Sequence, residues 1–523
     1  MNTNSVEEKE FISKLDYFVK DKGLLTVLQD LKSSTSSSLQ DLSFIFNLLF
    51  LKYEKENYRP LQKLIDYPIL LQLCLQFLET KELILLTRYN SKWKNIIEKN
   101  PFVWKYTQLS IGGKEQLALK TKACPFLSKL HFSTLFTCGD HEANHIQKCL
   151  EQFTCLNALR FGLGYSPHTE KLLYSTNSFQ NVKCLILDGY SGLYHHYEIC
   201  LNILFTQMTK LEKLKLYHTR IKSFSAFKIL SVPLHTLKLV NIRLLDPSSA
   251  YDLCACKNLT SVSLEFDKLH KNLLDYLLEQ NNPSFIVFFL ENLEYLKLKE
   301  IALILLSLFN AIPESYFLER KEWTLKKLRL DLPRTSRHSC FWTSTWKEKA
   351  SKCLSIITEL KVYFCQDSIK FFSSTMEECF SSLKKLILIN SEEKEEQQNT
   401  TNLVDYPTLT KIIEKNQTTL KYIELEGGNF TSWKVFFECS ALEYLSLSST
   451  SKLNITEARI QTGHFPKLKT LLFKNIPSSL EGNLNYLYPL EHKLKHLEFV
   501  NVKVTEFEKK IWEKKAIFTS CKK

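Results

Sequence analysis

Hydrophobic residues recur along most of the chain in a six-residue pattern whose first, fourth and sixth positions are apolar, as in Leu211-Glu-Lys-Leu214-Lys-Leu216. The fourth and sixth positions follow the two-residue alternation that places side chains on one face of a short strand. The pattern occurs at least fourteen times, beginning at Leu127, Leu156, Val182, Leu211, Leu234, Leu259, Leu293, Leu325, Ile357, Leu383, Leu420, Leu442, Leu468 and Leu494. Each occurrence predicts a short strand with one buried face and one solvent face.

The segments between these strands carry apolar residues at helical spacing, for example Ile146, Leu150 and Phe153. Each unit is therefore predicted to contain a strand, a turn, a helix and a return, with a mean period of about 28 residues. One unit cannot bury its apolar face alone, whereas stacked neighbours share a continuous core. The pattern predicts a curved α/β solenoid over residues 109–504.

These repeats resemble those of the leucine-rich-repeat family over roughly 390 residues of the chain. That family usually has an Asn or Cys nine positions from the start of the pattern, and Cys365 matches this position. In other repeats the Asn comes one residue early and is followed by Ile or Val, as at Asn241, Asn475 and Asn501. The resemblance implies an irregular horseshoe that binds a partner on its concave surface.

Residues 60–108 carry a different pattern, which predicts three short amphipathic helices. Its key positions are Pro68, Leu78, Leu83, Trp93, Pro101 and Trp104. These positions resemble an F-box, although Tyr67 replaces the opening Leu and Tyr89-Asn90 replaces the usual Val-Cys pair. The order of an all-α F-box-like region followed by leucine-rich repeats is itself a familiar pairing.

The F-box resemblance implies binding to the Skp-type adaptor of a ubiquitin ligase and, through it, to a cullin. The side chains implied in adaptor binding are Pro68, Leu71, Leu75, Leu78, Leu83, Leu86 and Trp93. Three short helices do not comfortably close a core of their own, so we expect an exposed apolar patch that includes Pro68, Leu71, Leu75 and Leu83. The alternative is that residues 60–108 only cap the hydrophobic end of the first repeat.

The two ends of the chain are predicted to be helical. Residues 1–58 read as two or three helices whose function the sequence does not indicate. In residues 505–523, Thr505 and Glu508 form a capping box before an apolar face, which predicts a C-terminal cap helix followed by a tail.

Two insertions interrupt the repeats. Residues 334–349 carry Trp342 and Trp346, which would be either contact residues of a substrate loop or part of a helix packed on the repeats, and residues 391–402 form an acidic tract.

Basic residues are enriched on the predicted concave surface of the fourth to eighth repeats. Seven of its fifteen positions are Lys or Arg, where composition predicts about two. The candidate substrate-binding residues are Lys213, Lys215, Tyr217, Lys238, Tyr295, Lys297, Lys299, Lys327 and Arg329. If the stripe is functional, it favours an acidic or phosphorylated segment, with tyrosines supplying contact area. The alternative is the ordinary richness of exposed strands in Lys.

Composition narrows the class of protein. Hydrophobic residues make up 44% of the chain and charged residues 24%, and no apolar run approaches the ~18 residues that would span a membrane. The polar N-terminus and the scattered cysteines, of which there are 15, favour a cytoplasmic or nuclear protein with reduced thiols. Although the net charge is +13, only ten of the 69 basic residues are Arg, which argues against nucleic-acid recognition.

One motif matches a catalytic pattern. His141-Glu142-Ala-Asn-His145 has the zinc-protease spacing, but the His pair is turned away from the apolar face of its helix, and no third ligand follows. Cys254-Ala-Cys256 lacks zinc-site spacing, and no glycine-rich phosphate loop is present. We therefore expect neither an enzyme nor a cofactor. The sequence favours a substrate-recognition subunit of a ubiquitin ligase, with a leucine-rich-repeat interaction scaffold as the alternative.

Overall fold

The computed structural model describes residues 75, 83, 94–97, 108–111, 129–132, 156–163, 177–189, 198–229, 232–266, 271–299, 302, 308–318, 323–332, 344–364, 379–390, 410–428, 434–450, 460–461, 463–476, 487, 489–490, 492–502, 505, 510, 512 and 518–522. These residues belong to two compact units, Met1–Val182 and Lys183–Lys523.

The first unit contains a short parallel ladder. Its strands are β1 (Gln108–Ile111), β2 (Lys129–Phe132) and β3 (Ala158–Leu163), and neighbouring strands pair in register. A 3₁₀ helix, η1 (Asn177–Asn181), places Phe179 edge-on against Phe161 with 6.4 Å between ring centroids. The first unit therefore contains parallel strands that pair in register, as the predicted repeats require.

Two described residues that precede β1 differ from the sequence-based expectation. Leu75 and Leu83 are helical, but their side chains are only 2% and 0% exposed. The prediction that both belong to an exposed apolar patch is wrong, because packing has removed these leucines from solvent. The other five candidate adaptor-binding residues, Pro68, Leu71, Leu78, Leu86 and Trp93, lie outside the described residues.

The second unit is a longer parallel ladder with one strand per repeat. Its strands are β4 (Cys184–Gly189), β6 (Lys213–Tyr217), β8 (Thr236–Leu244), β9 (Ser261–Phe266), β10 (Tyr295–Lys299), β11 (Lys327–Asp331), β12 (Glu359–Phe364), β13 (Lys385–Asn390), β14 (Tyr422–Gly428), β15 (Tyr444–Thr450), β16 (Thr470–Lys474), β17 (His496–Val500) and β18 (Phe518–Lys522). Two short strands, β5 (Glu198–Ile199) and β7 (Arg220–Ile221), continue into a second small sheet with the end of β8.

Each of the fourteen predicted apolar patterns coincides with one ladder strand. In β6, for example, Leu214 and Leu216 are fully buried, and so is Leu211 at the first position of the pattern. Besides β5 and β7, two strands of the described parallel ladders lie outside the fourteen patterns. β1 pairs with β2. β18 pairs with β17, with a register shift between Leu497 and Phe499 of β17. β18 lies within residues 505–523, which were expected to form the cap helix and tail. A strand at the end of a ladder needs free backbone groups to pair with, not the full leucine pattern.

Helices and 3₁₀ turns return the chain between strands of the second unit. They are α1 (Leu201–Gln207), α2 (Ala226–Ile229), η2 (Pro247–Ala255), α3 (Lys271–Gln280), α4 (Ser284–Asn292), η3 (Leu308–Ala311), α5 (Ser315–Leu318), α6 (Ser344–Leu354), α7 (Thr410–Lys415) and α8 (Lys434–Phe437). Most are short, which fits the uneven spacing of the repeats. The six consecutive apolar residues from Phe285 to Leu290 of α4 are buried at every position.

Trp346 decides between the two interpretations of the insertion at 334–349. It lies in α6, is fully buried, and meets the Phe309 ring edge-on with 6.1 Å between centroids. Lys349 of the same helix donates to the carbonyl oxygens of Asn310 and Ile312 at 3.1 and 2.7 Å. This part of the insertion is a helix packed on the repeats, and Trp346 is not a contact residue of a substrate loop; Trp342 lies outside the described residues.

The early asparagines occupy a strained position in the turn after the strand. Asn241, Asn475 and Asn501 have φ angles of 56°, 49° and 53°, and His218 has 52° at the equivalent place. Asn tolerates this left-handed region better than most residues. The Nδ2 of Asn501 also donates to Oδ1 of Asn475 at 2.8 Å, so the side chains link adjacent turns.

Seven cysteines of the described residues are free thiols: Cys184, Cys200, Cys254, Cys256, Cys353, Cys379 and Cys439. Burial raises the pKa of Cys254, Cys353 and Cys439 to about 12, which keeps these thiols protonated at neutral pH. In the same part of the chain, no helix is both long and apolar enough to cross a membrane.

Candidate protein-binding face

The solvent face of the second ladder consists of the first, third and fifth residues of each strand from β4 to β17, leaving out β5 and β7. Because neighbouring strands pair in register, these residues form three rows that run across the strands. All nine candidate substrate-binding residues lie on this face. Lys213 and Lys327 are exposed and the other seven are half-buried. The structure therefore places all nine predicted residues on one surface, as the two-residue alternation in the sequence predicted.

Strands β6 and β8 to β12 carry most of the positive charge, and their solvent face is named the basic half here. Its cations are Lys213, Lys215, Lys238, Lys297, Lys299, Lys327, Arg329 and Lys361, and its anions are Glu265, Asp331 and Glu359. Eight cations against three anions leave a net charge of +5. The middle row is the most basic, because it holds Lys215, Lys238, Lys297, Arg329 and Lys361 in strand order.

The carboxylates neutralise part of the basic half. Nζ of Lys297 lies 3.9 Å from Glu265 and 3.7 Å from Asp331, and Lys299 also pairs with Glu265. Asp331 accepts a hydrogen bond from Nε of Arg329 at 3.3 Å. The stripe is therefore less uniformly positive than the basic residues alone suggested.

Three lysines of the middle row remain without a carboxylate partner among the described residues. Lys215 and Lys361 have no ion pair there, and Lys238 has none either. Tyrosines support two of them: Nζ of Lys238 lies 4.9 Å from the Tyr217 ring centroid, and Nζ of Lys361 lies 5.0 Å from that of Tyr363. Such contacts leave the ammonium donors free to meet an incoming anion.

Partial burial changes two titrations in the basic half. Desolvation lowers the pKa of Lys297, and the nearby charges of Arg329 and Lys238 act in the same direction, while Asp331 and Glu265 oppose them. Burial also raises the pKa of Tyr295 on the same strand. An anion bound here would compensate the repulsion between the cations.

The other end of the face, from β13 to β17, has a different chemistry. Its anions are Glu424, Glu426 and Glu498, its cations are Lys385 and Lys474, and Ile387, Ile389 and Leu472 are buried. Tyr422 and Tyr444 stack with ring centroids 4.1 Å apart, and the Tyr422 hydroxyl donates to Oε2 of Glu424 at 2.8 Å. Burial is the largest of the causes that raise the pKa of Tyr422. A net positive charge is thus confined to the basic half.

Sequence reasoning missed several residues of this face. Lys361 and Tyr363 belong to β12, one repeat beyond the five that were selected for their basic character. Glu265 and Asp331 occupy the same alternating positions as the lysines, so scoring acidic residues by the same rule would have found them. Ser263 carries no charge, and only the register of β9 reveals its position between two lysines.

The candidate catalytic residues do not gain structural support. His141, Glu142 and His145 lie outside the described residues. Within the described residues, no group of three or more His, Cys, Asp or Glu side chains is arranged to hold a metal ion. Burial raises the pKa of Cys256 to about 11, so the Cys254–Cys256 pair consists of protonated thiols rather than thiolate ligands.

Comparisons with known proteins give a remote likeness to solved structures. No protein-family model matches the chain, and no curated protein matches it. An internalin from Listeria monocytogenes is 14% identical, with a TM-score of 0.36 over 71% of this chain and 88% of that one. The mouse RP105/MD-1 complex is 14% identical, with a TM-score of 0.34 over 73% of this chain and 64% of that one. These likenesses are too remote to argue from. The leucine-rich-repeat solenoid is shown instead by the in-register parallel ladder of the second unit.

Proposed function

We propose that this protein is a non-catalytic binding protein that holds an acidic segment of a partner protein on the basic half of its solvent face. The observation that carries the proposal is the middle row, where five of six consecutive strands from β6 to β12 present Lys or Arg at the same register position. Repeat proteins use such extended faces for binding. Complementary charge favours both the encounter and the choice of partner.

A protein segment fits this face better than a nucleic acid does. Glu265, Asp331 and Glu359 interrupt the positive charge at intervals along the strands, and a continuous phosphate backbone would have to pass over them. The half-buried Tyr217, Tyr295 and Tyr363 offer the amphipathic contact area that protein interfaces favour. An acidic peptide can place its carboxylates beside the lysines and leave the acidic positions uncovered.

The test compares degenerate 15-residue peptide pools of acidic, neutral and basic composition for binding to the full chain by fluorescence anisotropy. We expect the acidic pool to bind tightest. The triple variant Lys215→Glu, Lys238→Glu, Lys361→Glu should weaken that binding by tenfold or more, since each change reverses an unpaired charge, worth about 1 kcal/mol or less where it is exposed.

The matched control reverses three exposed lysines outside the solvent face, Lys257→Glu, Lys421→Glu and Lys467→Glu. Both triple variants have the same net charge, so a loss confined to the first one locates the binding on the basic half. Equal losses in the two variants, or no preference of the unmodified chain for the acidic pool, would rule out the proposal.

A second candidate function is a substrate-recognition subunit of a Skp-type ubiquitin ligase. Its support is the sequence resemblance of residues 60–108 to an F-box. Because Leu75 is buried, a variant limited to Pro68→Ala and Leu71→Ala tests the adaptor contact with less disturbance of packing. Micromolar binding of the purified adaptor that the variant loses would support this role. If the folded chain does not bind the adaptor, only the binding-protein role remains as a candidate function.

A further inference from the structure

Ser263 is a buried polar residue on a face where most polar residues reach solvent. It stands in the middle row on β9, and its side chain is 7% exposed. Among the described residues, its Oγ has no hydrogen-bond partner. Buried hydroxyl groups in folded proteins are almost always satisfied, so an unpartnered one calls for a ligand or another explanation.

Two lysines flank this hydroxyl in the register of the ladder. Ser263 pairs with Lys238 of β8 on one side and with Lys297 of β10 on the other. Adjacent strands lie about 4.8 Å apart, so the three side chains project from neighbouring points on one face. The charge of Lys238 also contributes to the lowered pKa of Lys297.

Both ammonium groups have donor capacity to spare. Lys238 has no carboxylate partner among the described residues, and its contact is the face of the Tyr217 ring. Lys297 lies between Glu265 and Asp331, but at 3.9 and 3.7 Å these carboxylates are beyond hydrogen-bond distance. A group that accepts hydrogen bonds from both lysines and from the hydroxyl would satisfy all three.

We infer that Lys238, Ser263 and Lys297 bind the phosphate group of a phosphorylated side chain within the acidic segment. This inference rests on the proposed function and names the chemistry of one residue of the partner. A phosphate ester offers three acceptor oxygens and a charge of about −1.5 to −2 at neutral pH. An Asp or Glu carboxylate has two oxygens and a single charge, so it cannot meet two ammonium groups and a hydroxyl as completely.

The surrounding acids favour an isolated phosphate over a polyanion. Glu265 lies two residues beyond Ser263 on the same face, and Asp331 lies within 3.7 Å of the Lys297 ammonium. A single phosphate needs to approach the lysines at only one point on the face. A chain of phosphates crossing the strands would meet both carboxylates and be repelled.

The test uses two degenerate pools of 15-residue acidic peptides that differ only in a central phosphoserine or serine. Binding to the full chain is measured by fluorescence anisotropy. We expect the phosphorylated pool to bind about tenfold more tightly than its unphosphorylated twin. Ser263→Ala should reduce this preference to about threefold, and Lys238→Gln should reduce it to about twofold or less.

Ser446→Ala provides a matched control. Ser446 also stands in the middle row, is 1% exposed and has an Oγ without a hydrogen-bond partner, but its neighbours in register are Glu424 and Leu472. Its loss should leave the phosphate preference unchanged. Neither serine variant should lower the thermal midpoint, because neither hydroxyl makes a hydrogen bond within the described part of the chain.

The outcomes separate this site from the wider proposal. Equal affinity for the two pools, with both bound, overturns the phosphate site and leaves the acidic-segment function standing. Binding of neither pool overturns both. A full phosphate preference in Ser263→Ala, or tighter binding of phosphoinositide vesicles or of single-stranded RNA than of the phosphopeptide pool, also overturns the site as a phosphopeptide site.

Discussion

Gly189 shows how closely adjacent repeats approach one another. It ends β4 beside the turn that follows β6, and a Cβ built on it would overlap the carbonyl oxygen of His218. Because that oxygen belongs to the backbone, it cannot move aside as a flexible side chain would. We expect Gly189→Ala to lower the free energy of unfolding by about 1–3 kcal/mol in urea denaturation.

Gly463→Ala serves as the control for this prediction. A Cβ at Gly463 meets no atom of the described residues within 4 Å, so the change should alter stability by about 0.5 kcal/mol or less. If the two alanine variants unfold at the same urea concentration, the close approach at Gly189 is not a constraint on the fold.

The second prediction at the residue scale concerns Asn475, in the turn that follows β16. Its φ of 49° lies in the left-handed region, and its Oδ1 accepts a hydrogen bond from Asn501. Asn475→Gly removes the hydrogen bond but suits the backbone, whereas Asn475→Val removes both advantages. We expect Val to be less stable than Gly by about 1–2 kcal/mol in thermal or urea unfolding. Equal stability of the two variants would contradict the assignment of strain to this turn.

At the scale of elements, the largest buried side chain by which α6 packs on the repeats is that of Trp346. Trp346 is fully buried against Phe309, so Trp346→Ala should leave a cavity and reduce stability by about 3–5 kcal/mol. Circular dichroism during urea denaturation measures this loss. Glu348→Ala, an exposed change on the same helix, should leave the midpoint where it is. A small effect of Trp346→Ala would mean that α6 does not depend on this packing.

The elements also show where sequence patterns suffice. All fourteen apolar patterns became strands, because a leucine at the first, fourth and sixth positions meets equivalent leucines in the repeats on either side. The return segments were harder to predict, because a short helix or a 3₁₀ turn such as η2 can connect two strands with the same number of residues. β18 was missed for a related reason: backbone pairing with β17 recruits it, and its own side chains carry no such pattern.

At the scale of the whole molecule, the basic half predicts how binding responds to salt. A face with net charge +5 attracts an acidic segment over a distance that ionic screening shortens from about 14 Å at 50 mM salt to about 4 Å at 500 mM. We expect the dissociation constant of the acidic peptide pool to rise at least about tenfold across that range. Titrations at four salt concentrations, read by fluorescence anisotropy, give the slope.

The Lys215→Glu, Lys238→Glu, Lys361→Glu variant should show a shallower salt dependence than the unmodified chain. The control variant at Lys257, Lys421 and Lys467 should keep the original slope. Binding of the acidic pool that is insensitive to salt would show that apolar contacts, rather than the charges of the basic half, carry the interaction.

The sequence by itself determined the repeat, the strand of each repeat and the face that its alternating residues share, because these follow from hydrophobic periodicity within a short segment. It also placed Lys213, Lys215, Lys238, Lys297 and Arg329 on the same surface. Only the tertiary structure decided which of these charges are neutralised, since Glu265 and Asp331 meet Lys297 across neighbouring repeats. The burial of Ser263 between two lysines likewise depends on the register of three strands, whose residues are about 25 to 35 positions apart in the chain.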